Sequence, residues 1–184
     1  MSSLSKHELT TLVLIDAQEK LCRAMADFET MAAKKMIQIL EAARILGVGT
    51  MITEQYPKGL GPTVPAIKNA LSPITPVIEK TSFSCWGSED FRKAVQAIRP
   101  RYLVLIGMET HVCVQQTALD ALEEGYRVVV AADAVCSRHA EDREMALACM
   151  RARGVTITTV EAIVFDWMRD AGHPKFKPIS TLFR

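Results

Sequence analysis

The sequence predicts an α/β fold, a three-layer α/β/α sandwich around a six-stranded, mainly parallel sheet of the Rossmann-like kind. Short apolar runs alternate with helical patterns six times along the 184 residues. This alternation is typical of parallel sheets that are covered by helices on both faces. The composition, 49% hydrophobic and 23% charged, is that of a globular chain. Because no repeat or linker divides the sequence, we expect a single domain over residues 1–184.

Each predicted strand is an apolar run, rich in β-branched residues, that ends where polar residues or glycine begin. The first run is uninterrupted over residues 10–15, as expected for a strand that is buried on both faces. In chain order the predicted strands are 10–15, 48–53, 76–79, 102–106, 127–132 and 155–159.

The predicted helices lie between these strands and are bounded by local signals. Glycines end three of them, at Gly47, Gly125 and Gly154. Ser88 is expected to cap another, with Glu89 favourably placed in its first turn. In chain order the predicted helices are Asp27–Leu46, 89–98, 111–124, 140–153 and 161–170, with one helical turn at 64–71 inside the proline- and glycine-rich loop 55–76.

Composition and charge restrict the class of partner and the compartment. Lys plus Arg number 22 against 21 Asp plus Glu, so the sequence lacks the basic excess of nucleic-acid-binding domains. No apolar stretch approaches the roughly 20 residues that cross a bilayer. The five cysteines form no CxxC pair, and no secretory signal is recognisable at the beginning. We therefore expect a cytoplasmic protein with reduced thiols, bound to neither membrane nor nucleic acid.

Three chemically useful residues follow predicted strands, where the carboxyl ends of a parallel sheet form the ligand site. Asp16 follows the first strand, Lys80 the third, and Cys113 the fourth. A cysteine attacks as its thiolate, and a helix N-terminus or a nearby lysine favours that anion, so we expect a lowered Cys113 pKa. A carboxylate could take the thiol proton.

Each of these residues also has a structural interpretation. Asp16 could cap a turn, Lys80 could be a solvated loop residue, and a cysteine is commonly a small buried apolar residue. The last interpretation suits three of the remaining cysteines, namely Cys22, Cys136 and Cys149. The convergence of an acid, a lysine and a cysteine at one edge favours the functional interpretation.

Several segments carry a family resemblance that spans nearly the whole chain. They are Leu-Ile-Asp-Ala-Gln at 14–18, Glu-Lys-Thr-Ser-Phe-Ser at 79–84, Gly-Met-Glu-Thr-His-Val-Cys-Val-Gln at 107–115 and Asp-Ala-Val-Cys-Ser-Arg at 133–138. With them the chain resembles the isochorismatase-like cysteine hydrolases. Segments 53–61 and 173–177 make it most similar to the isochorismatase domain-containing branch.

The resemblance implies a catalytic triad of Asp16, Lys80 and Cys113 and a cis peptide bond between Met108 and Glu109. The backbone N–H groups of Glu109 and Cys113 would then form an oxyanion hole. The Glu109 side chain itself is expected to be a surface acid without a role. The implied reaction is hydrolysis of a small amide or related acyl substrate through a thioester on Cys113.

The resemblance also bears on metals and substrates. Nicotinamidases of this kind bind a metal through an Asp and histidines after the second strand, but here Glu54–Lys58 contains no histidine. We therefore expect no metal and no cofactor, and a substrate other than nicotinamide. Members that cleave the vinyl ether of isochorismate lack the nucleophilic cysteine, so the presence of Cys113 argues against that activity too.

Four residues near the expected edge are candidates for a substrate pocket: Gln18, Tyr56, Phe83 and Trp86. For the aromatic residues, packing against the scaffold is an equally good interpretation. For Gln18 the alternative is to cap the turn after the first strand.

Asp133, after the fifth strand, is expected to bond the backbone of the Ala134–Ser137 turn. Members of the resembled family commonly form homo-oligomers, and the tail Ala171–Arg184 is the expected contact segment. Two alternatives to hydrolysis of a small molecule remain, since fold does not fix function. One is a non-catalytic interaction protein; the other is a redox sensor in which Cys85, otherwise a filler residue, resolves Cys113.

Overall fold

A computed structural model describes residues 6–25, 28 and 32–184 of the chain. Within these residues six strands form one all-parallel sheet in the order β3-β2-β1-β4-β5-β6. The strands are β1 Thr10–Ile15, β2 Gly49–Gln55, β3 Val77–Lys80, β4 Tyr102–Met108, β5 Arg127–Cys136 and β6 Thr156–Thr158. The predicted α/β fold is confirmed.

Helices connect the strands and cover the sheet. They are α1 Glu19–Ala24, α2 Ala33–Leu46, α3 Pro57–Leu60, α4 Pro65–Lys68, α5 Glu89–Ile98, α6 Gln115–Glu123, α7 Ala140–Ala152, α8 Val160–Met168 and α9 Phe176–Thr181. The six-residue helices α1 and α9 were not predicted, because each is too short to show a clear apolar period. The predicted helix start at Asp27 lies outside the described residues. No described helix has the length and apolar character needed to cross a membrane.

The core consists of two apolar layers, one on each face of the sheet. Strand β1 is buried throughout, and its successive side chains point to opposite faces. Leu12 and Leu14 join the layer under α2 and α8, whereas Val13 and Ile15 join the layer under α5, α6 and α7. Burial on both faces explains the uninterrupted apolar run of the first strand.

Gly107 allows β4 to approach β1 closely at the carboxyl end of the sheet. It pairs with Ile15 and has φ +115°, in the region that favours glycine. A Cβ atom at this position would lie 2.0 Å from the Ile15 carbonyl oxygen. The strand therefore continues to Met108 beyond the predicted end at Ile106, and brings the segment after it beside Asp16.

One further prediction needs correction. Asp133 lies within β5, which continues past a register shift to Cys136 instead of turning at Ala134. Its Oδ1 atom accepts the Val160 N–H at 2.8 Å, so it fixes the start of α8. The C-terminal tail packs on its own chain: Ile179 is fully buried, and the Phe176 ring meets Phe165 of α8 edge-on. Phe176, Leu182 and Phe183 are only partly buried, so a tail that contacts another copy of the chain stays a prediction.

Candidate active site

Asp16 and Lys80 form a buried ion pair at the carboxyl edge of the sheet. Asp16 directly follows β1 with φ +52°, a left-handed conformation that Asp tolerates better than most residues. Lys80 is the last residue of β3 and reaches across β2, placing its Nζ 2.6 Å from Asp16 Oδ2. Both side chains are fully buried. Because the two charges are this close and are shielded from water, their electrostatic attraction is far stronger than that of a surface salt bridge.

The Lys80 ammonium is surrounded by oxygen atoms. Besides Asp16, it donates to Gln55 Oε1 at 2.8 Å and to the carbonyls of Ser82 and Phe83 at 3.2 and 3.1 Å. Burial is the largest single effect and disfavours the charged ammonium, but the Asp16 carboxylate together with the nearby Cys85 and Cys113 sulfurs outweighs it, so the Lys80 pKa is raised. Lys80 is therefore a fixed positive charge at neutral pH.

Cys113 lies in a π-helical turn, Thr110–Val114, between β4 and α6. The residue is 5% exposed, and its thiol is close enough to the Asp16 carboxylate and the Lys80 ammonium for both charges to act on it. Burial, and then the negative charge of Asp16, raise the Cys113 pKa to about 12, against the opposing effect of Lys80. The expectation of a lowered pKa is therefore wrong for the resting site. Loss of hydration and a carboxylate neighbour outweigh the lysine.

The peptide bond between Met108 and Glu109 is cis, as the resemblance implied. The expectation for the Glu109 side chain is wrong, because the residue is only 8% exposed. Its Oε2 atom accepts both the backbone N–H and the Nε–H of Arg138, each at 3.1 Å. The Glu109 carboxylate thus ties the beginning of the cysteine turn to the segment after β5.

The structure separates the four residues predicted to line a pocket. Gln18 is fully buried, and its amide binds both backbone groups of Gln55, accepting the N–H at 2.7 Å and donating to the carbonyl at 3.0 Å. It also donates to the Gly61 carbonyl at 2.6 Å. The amide group of Gln18 is therefore used within the scaffold, where it joins the end of β2 to the loop at Gly61 and makes no capping hydrogen bond at the start of α1.

The aromatic residues divide into buried and exposed ones. Trp86 is buried against the rings of Phe91 and Tyr126, so it packs in the core. Tyr56 and Phe83 are each 55% exposed. Tyr56 lines a cavity of about 430 Å³. The walls of that cavity also include Lys58, Lys80, Thr81, Ser82 and Ser88.

Two site residues were not predicted, Thr53 and Gln55. The Thr53 hydroxyl donates to Asp16 Oδ1 at 2.7 Å, and the Gln55 side chain bridges Lys80 Nζ and the Thr81 carbonyl. Thr53 pairs with Ile15, next to Asp16. A polar residue at a buried position of a central strand is the sequence signal that could have identified it.

Glu54 stands where the metal ligands of nicotinamidases were expected. Its Oε1 atom accepts the backbone N–H and the hydroxyl of Thr63, at 2.7 and 2.8 Å. Across the described part of the chain, no group of three or more His, Cys, Asp or Glu side chains is arranged to hold a metal ion. Glu54 thus fixes a loop.

Comparison with known proteins gives a consistent result. The isochorismatase domain family matches residues 10–162. Isochorismatase domain-containing protein 2 of Danio rerio is 40% identical over 175 residues, which cover 94% of this chain and 86% of the relative. The corresponding protein of Xenopus laevis is 41% identical and covers 94% and 82%.

Solved structures agree with this assignment. The MAR1 ribonuclease from Caenorhabditis elegans superposes with a TM-score of 0.91 at 38% identity and covers 96% of this chain and 90% of its own. The YcaC gene product of Escherichia coli, described as an octameric hydrolase of unknown specificity, gives 0.91 at 29% identity with coverage of 97% and 88%. YcaC from Pseudomonas aeruginosa, solved with hexane-2,5-diol and covalent acrylamide, gives 0.84 at 26% identity with coverage of 97% and 96%.

Proposed function

The chain belongs to the isochorismatase family, and on this premise we propose that it is a cysteine hydrolase of a small amide or related acyl substrate. The observation that carries the proposal is the placement of three buried groups together. The Asp16 carboxylate and the Lys80 ammonium lie 2.6 Å apart, and both charges act on the Cys113 thiol. A nucleophile, a base and a fixed positive charge are the parts that acyl transfer needs.

In the first half of the proposed reaction, the Cys113 sulfur attacks the substrate carbonyl carbon while Asp16 takes the thiol proton. The carbon–sulfur bond forms, and the carbonyl electron pair moves to the oxygen. The backbone N–H groups of Glu109 and Cys113 are proposed to stabilise that oxyanion. Asp16 then protonates the leaving nitrogen, the carbon–nitrogen bond breaks, and a thioester remains.

In the second half, water attacks the thioester carbonyl and gives a proton to Asp16. The carbon–sulfur bond breaks, the acid is released, and the sulfur recovers its proton from Asp16. Lys80 keeps its charge throughout, because it is held by carbonyl oxygens of Ser82 and Phe83 as well as by Asp16. One carboxylate thus serves as both base and acid.

The raised pKa of Cys113 is compatible with this sequence of steps. Burial is its largest cause and the Asp16 charge is the next. When Asp16 accepts the proton, the carboxylate loses the charge that opposed the thiolate, whereas the positive charge of Lys80 stays. The site therefore holds a neutral thiol at rest and favours the thiolate during attack. Preorganised charge of this kind is a large contribution to catalysis.

Two relatives bear on the substrate. Covalent acrylamide on the Pseudomonas YcaC supports an electrophilic compound with an amide group as a probe of the present site. The name of the C. elegans relative makes RNA a compound to include in any screen. We favour an acyl substrate, because a buried thiol paired with a carboxylate fits attack on a carbonyl, and the net charge is only +1.

The test is release of acid and amine from a panel of small amides, with RNA included. We expect turnover in the wild type and in Cys149→Ala, a matched control that changes an exposed cysteine. Cys113→Ala should lose turnover and keep its unfolding temperature. The acyl group of the thioester, isolated by acid quenching, should map to Cys113 by mass spectrometry, and hydroxylamine should remove it as the hydroxamate. Undiminished turnover in Cys113→Ala would contradict the proposal.

We also propose that the chain assembles with copies of itself, as described for the octameric E. coli relative. Light scattering at several protein concentrations tests this. A mass of one chain at all concentrations would contradict it.

A further inference from the structure

The Thr53 hydroxyl lies between the Asp16 carboxylate and a second buried thiol. Thr53 is 1% exposed in the central strand β2 and donates to Asp16 Oδ1 at 2.7 Å. On its other side, Cys85 Sγ lies 3.9 Å from Thr53 Oγ1, within the range of a hydrogen bond that involves sulfur. The Cys85 thiol, the Thr53 hydroxyl and the Asp16 carboxylate therefore form a chain of hydrogen bonds that ends on Asp16, the residue proposed as the base.

The protonation state of Cys85 decides which groups donate and which accept in this chain of hydrogen bonds. Burial raises the Cys85 pKa to about 11, against the opposing effect of Lys80, so the residue is a thiol at neutral pH. Its backbone N–H donates to Thr117 Oγ1 at 3.0 Å, which fixes its position. A thiol donates its S–H to the Thr53 oxygen, and the single hydroxyl hydrogen of Thr53 then goes to Asp16.

Two donors on different strands hold the two oxygens of the Asp16 carboxylate. Thr53 of β2 binds Oδ1 at 2.7 Å, and Lys80 of β3 binds Oδ2 at 2.6 Å. Rotation about the Cβ–Cγ bond would break both interactions, so the plane of the carboxylate is fixed relative to the Cys113 thiol. Proton transfer depends on such alignment, and small misplacements of a reacting group are costly.

We propose that Thr53 is a positioning residue that, assisted by Cys85, fixes the Asp16 carboxylate for transfer of the Cys113 proton. The inference deepens the proposed function and rests on it, because it assigns Asp16 the role of base. Thr53 itself touches no substrate; it acts through Asp16.

The test compares Thr53→Val, which keeps the shape but removes the hydroxyl, with Thr53→Ser, which keeps the hydroxyl but loses a methyl group. The probe is acrylamide, whose addition to Cys113 is followed by intact mass. The Cys113 sulfur bonds to the terminal alkene carbon, and the thiol proton passes through Asp16 to the other alkene carbon. No further reactant is needed.

In Thr53→Val we expect the limiting rate of addition to fall about ten- to a hundredfold, the usual cost of a lost hydrogen bond to a charged group. The acrylamide concentration at half the limiting rate should change less than about threefold. In Thr53→Ser the limiting rate should stay within about threefold of wild type. If Thr53 only filled space, the order of the two limiting rates would be reversed: Thr53→Val would react like the wild type because Val fills the site, and Thr53→Ser would react more slowly because Ser leaves a gap. That order, or an unchanged rate in Thr53→Val, would overturn the inference.

Failure of the proposed function is recognised separately. If wild-type Cys113 reacts with acrylamide no faster than exposed Cys149, the proposed nucleophile is wrong. The Thr53 inference is then decided by the Raman S–H band of Cys113, assigned by difference with Cys113→Ser. We expect Thr53→Val to move this band towards that of a thiol without a hydrogen bond, and Thr53→Ser to leave it in place. An unmoved band in Thr53→Val overturns the inference. Thermal unfolding of both variants verifies that they fold.

Discussion

Replacing Asp16 with Asn should make the Cys113 thiol more acidic while it abolishes turnover. Asp16 is the proposed base, and its loss removes the proton acceptor. Its negative charge is also the second-largest cause, after burial, of the raised Cys113 pKa. With the charge removed, Lys80 remains beside the sulfur and favours the thiolate. Acidity and activity should therefore change in opposite directions.

The magnitude follows from the geometry. The Asp16 carboxylate is fully buried, and its negative charge acts directly on the Cys113 thiol. A charge at about 4 Å in a medium of effective dielectric about 20 contributes about 4 kcal/mol. Measured effects of neighbouring charges on a pKa are about 1 to 3, so we expect the Cys113 pKa to fall from about 12 by at least about 1. Lys80→Met should raise it instead, because the opposing positive charge is lost.

The assay is alkylation of each cysteine by iodoacetamide against pH, resolved by mass spectrometry in wild type, Asp16→Asn and Lys80→Met. Cys149, the exposed cysteine, reports reagent reactivity in every sample. Loss of one member of a buried ion pair costs about 3–5 kcal/mol. In Asp16→Asn this loss is softened, since the Lys80 ammonium retains Gln55 and two carbonyls as acceptors. Urea unfolding shows whether each variant is folded at the pH of the assay.

The result that refutes the reasoning is an equal or higher Cys113 pKa in folded Asp16→Asn. Asp16 would then not be the charge that holds the proton on sulfur. A lowered pKa in Lys80→Met would likewise show that Lys80 does not favour the thiolate. Wild-type alkylation with an inflection well below pH 9 would contradict the buried, neutral thiol itself.

Two further predictions concern stability. Gly107→Ala should unfold the protein or destabilise it by more than about 3 kcal/mol, because a Cβ would meet the Ile15 carbonyl oxygen at 2.0 Å. Gly125 is also at positive φ, but a Cβ there would have no atom within 4 Å, so Gly125→Ala should destabilise the protein by only about 1–2 kcal/mol. Equal urea midpoints for Gly107→Ala and Gly125→Ala would contradict this contrast. Alkali should destabilise the wild type. The folded pKa values of Cys22, Cys85 and Cys113 are raised above 9.0 to about 12, 11 and 12. The stability that these thiols contribute is complete below pH 9 and is lost as pH rises from 9 towards 12. Each thiol accounts for about 1.4 kcal/mol per pH unit, and a urea midpoint that is constant from pH 8 to 10.5 would refute the assignment.

The sequence predicts the sheet and the placement of its charged edge because both depend on local patterns. Buried parallel strands appear as apolar runs, and the residues after them must meet at one edge, which is why Asp16 and Lys80 could be selected. The hydrogen bonds of Thr53 and Gln55 could not be predicted, because they depend on which strands are neighbours and in which register. The order β3-β2-β1 is what places both residues between Asp16 and Lys80.

The sign of the Cys113 pKa shift was the largest error of the sequence prediction, and its cause is physical. The sequence prediction named the right types of residue near Cys113, a lysine and a carboxylate, but it could not tell how deeply the thiol is buried. A lysine near a hydrated cysteine lowers the pKa of the thiol, whereas in this site loss of hydration has the largest effect and the negative charge of the neighbouring carboxylate has the next largest, and both raise the pKa. Likewise, Glu109 could be expected to be a surface acid until the fold placed Arg138 beside it.

The same burial favours the proposed hydrolysis over redox sensing, the alternative that would use the same thiol. Sensor cysteines are accessible and have low pKa values, since the thiolate reacts with peroxide. Cys113 is 5% exposed and Cys85 is fully buried, and burial raises the pKa of both. Peroxide therefore meets no resting thiolate at either cysteine, whereas in the proposed hydrolysis the thiolate forms only during attack, as Asp16 takes the proton. We expect mild peroxide to leave Cys113 and Cys85 reduced; a rapid, reversible disulfide between them would favour the sensor.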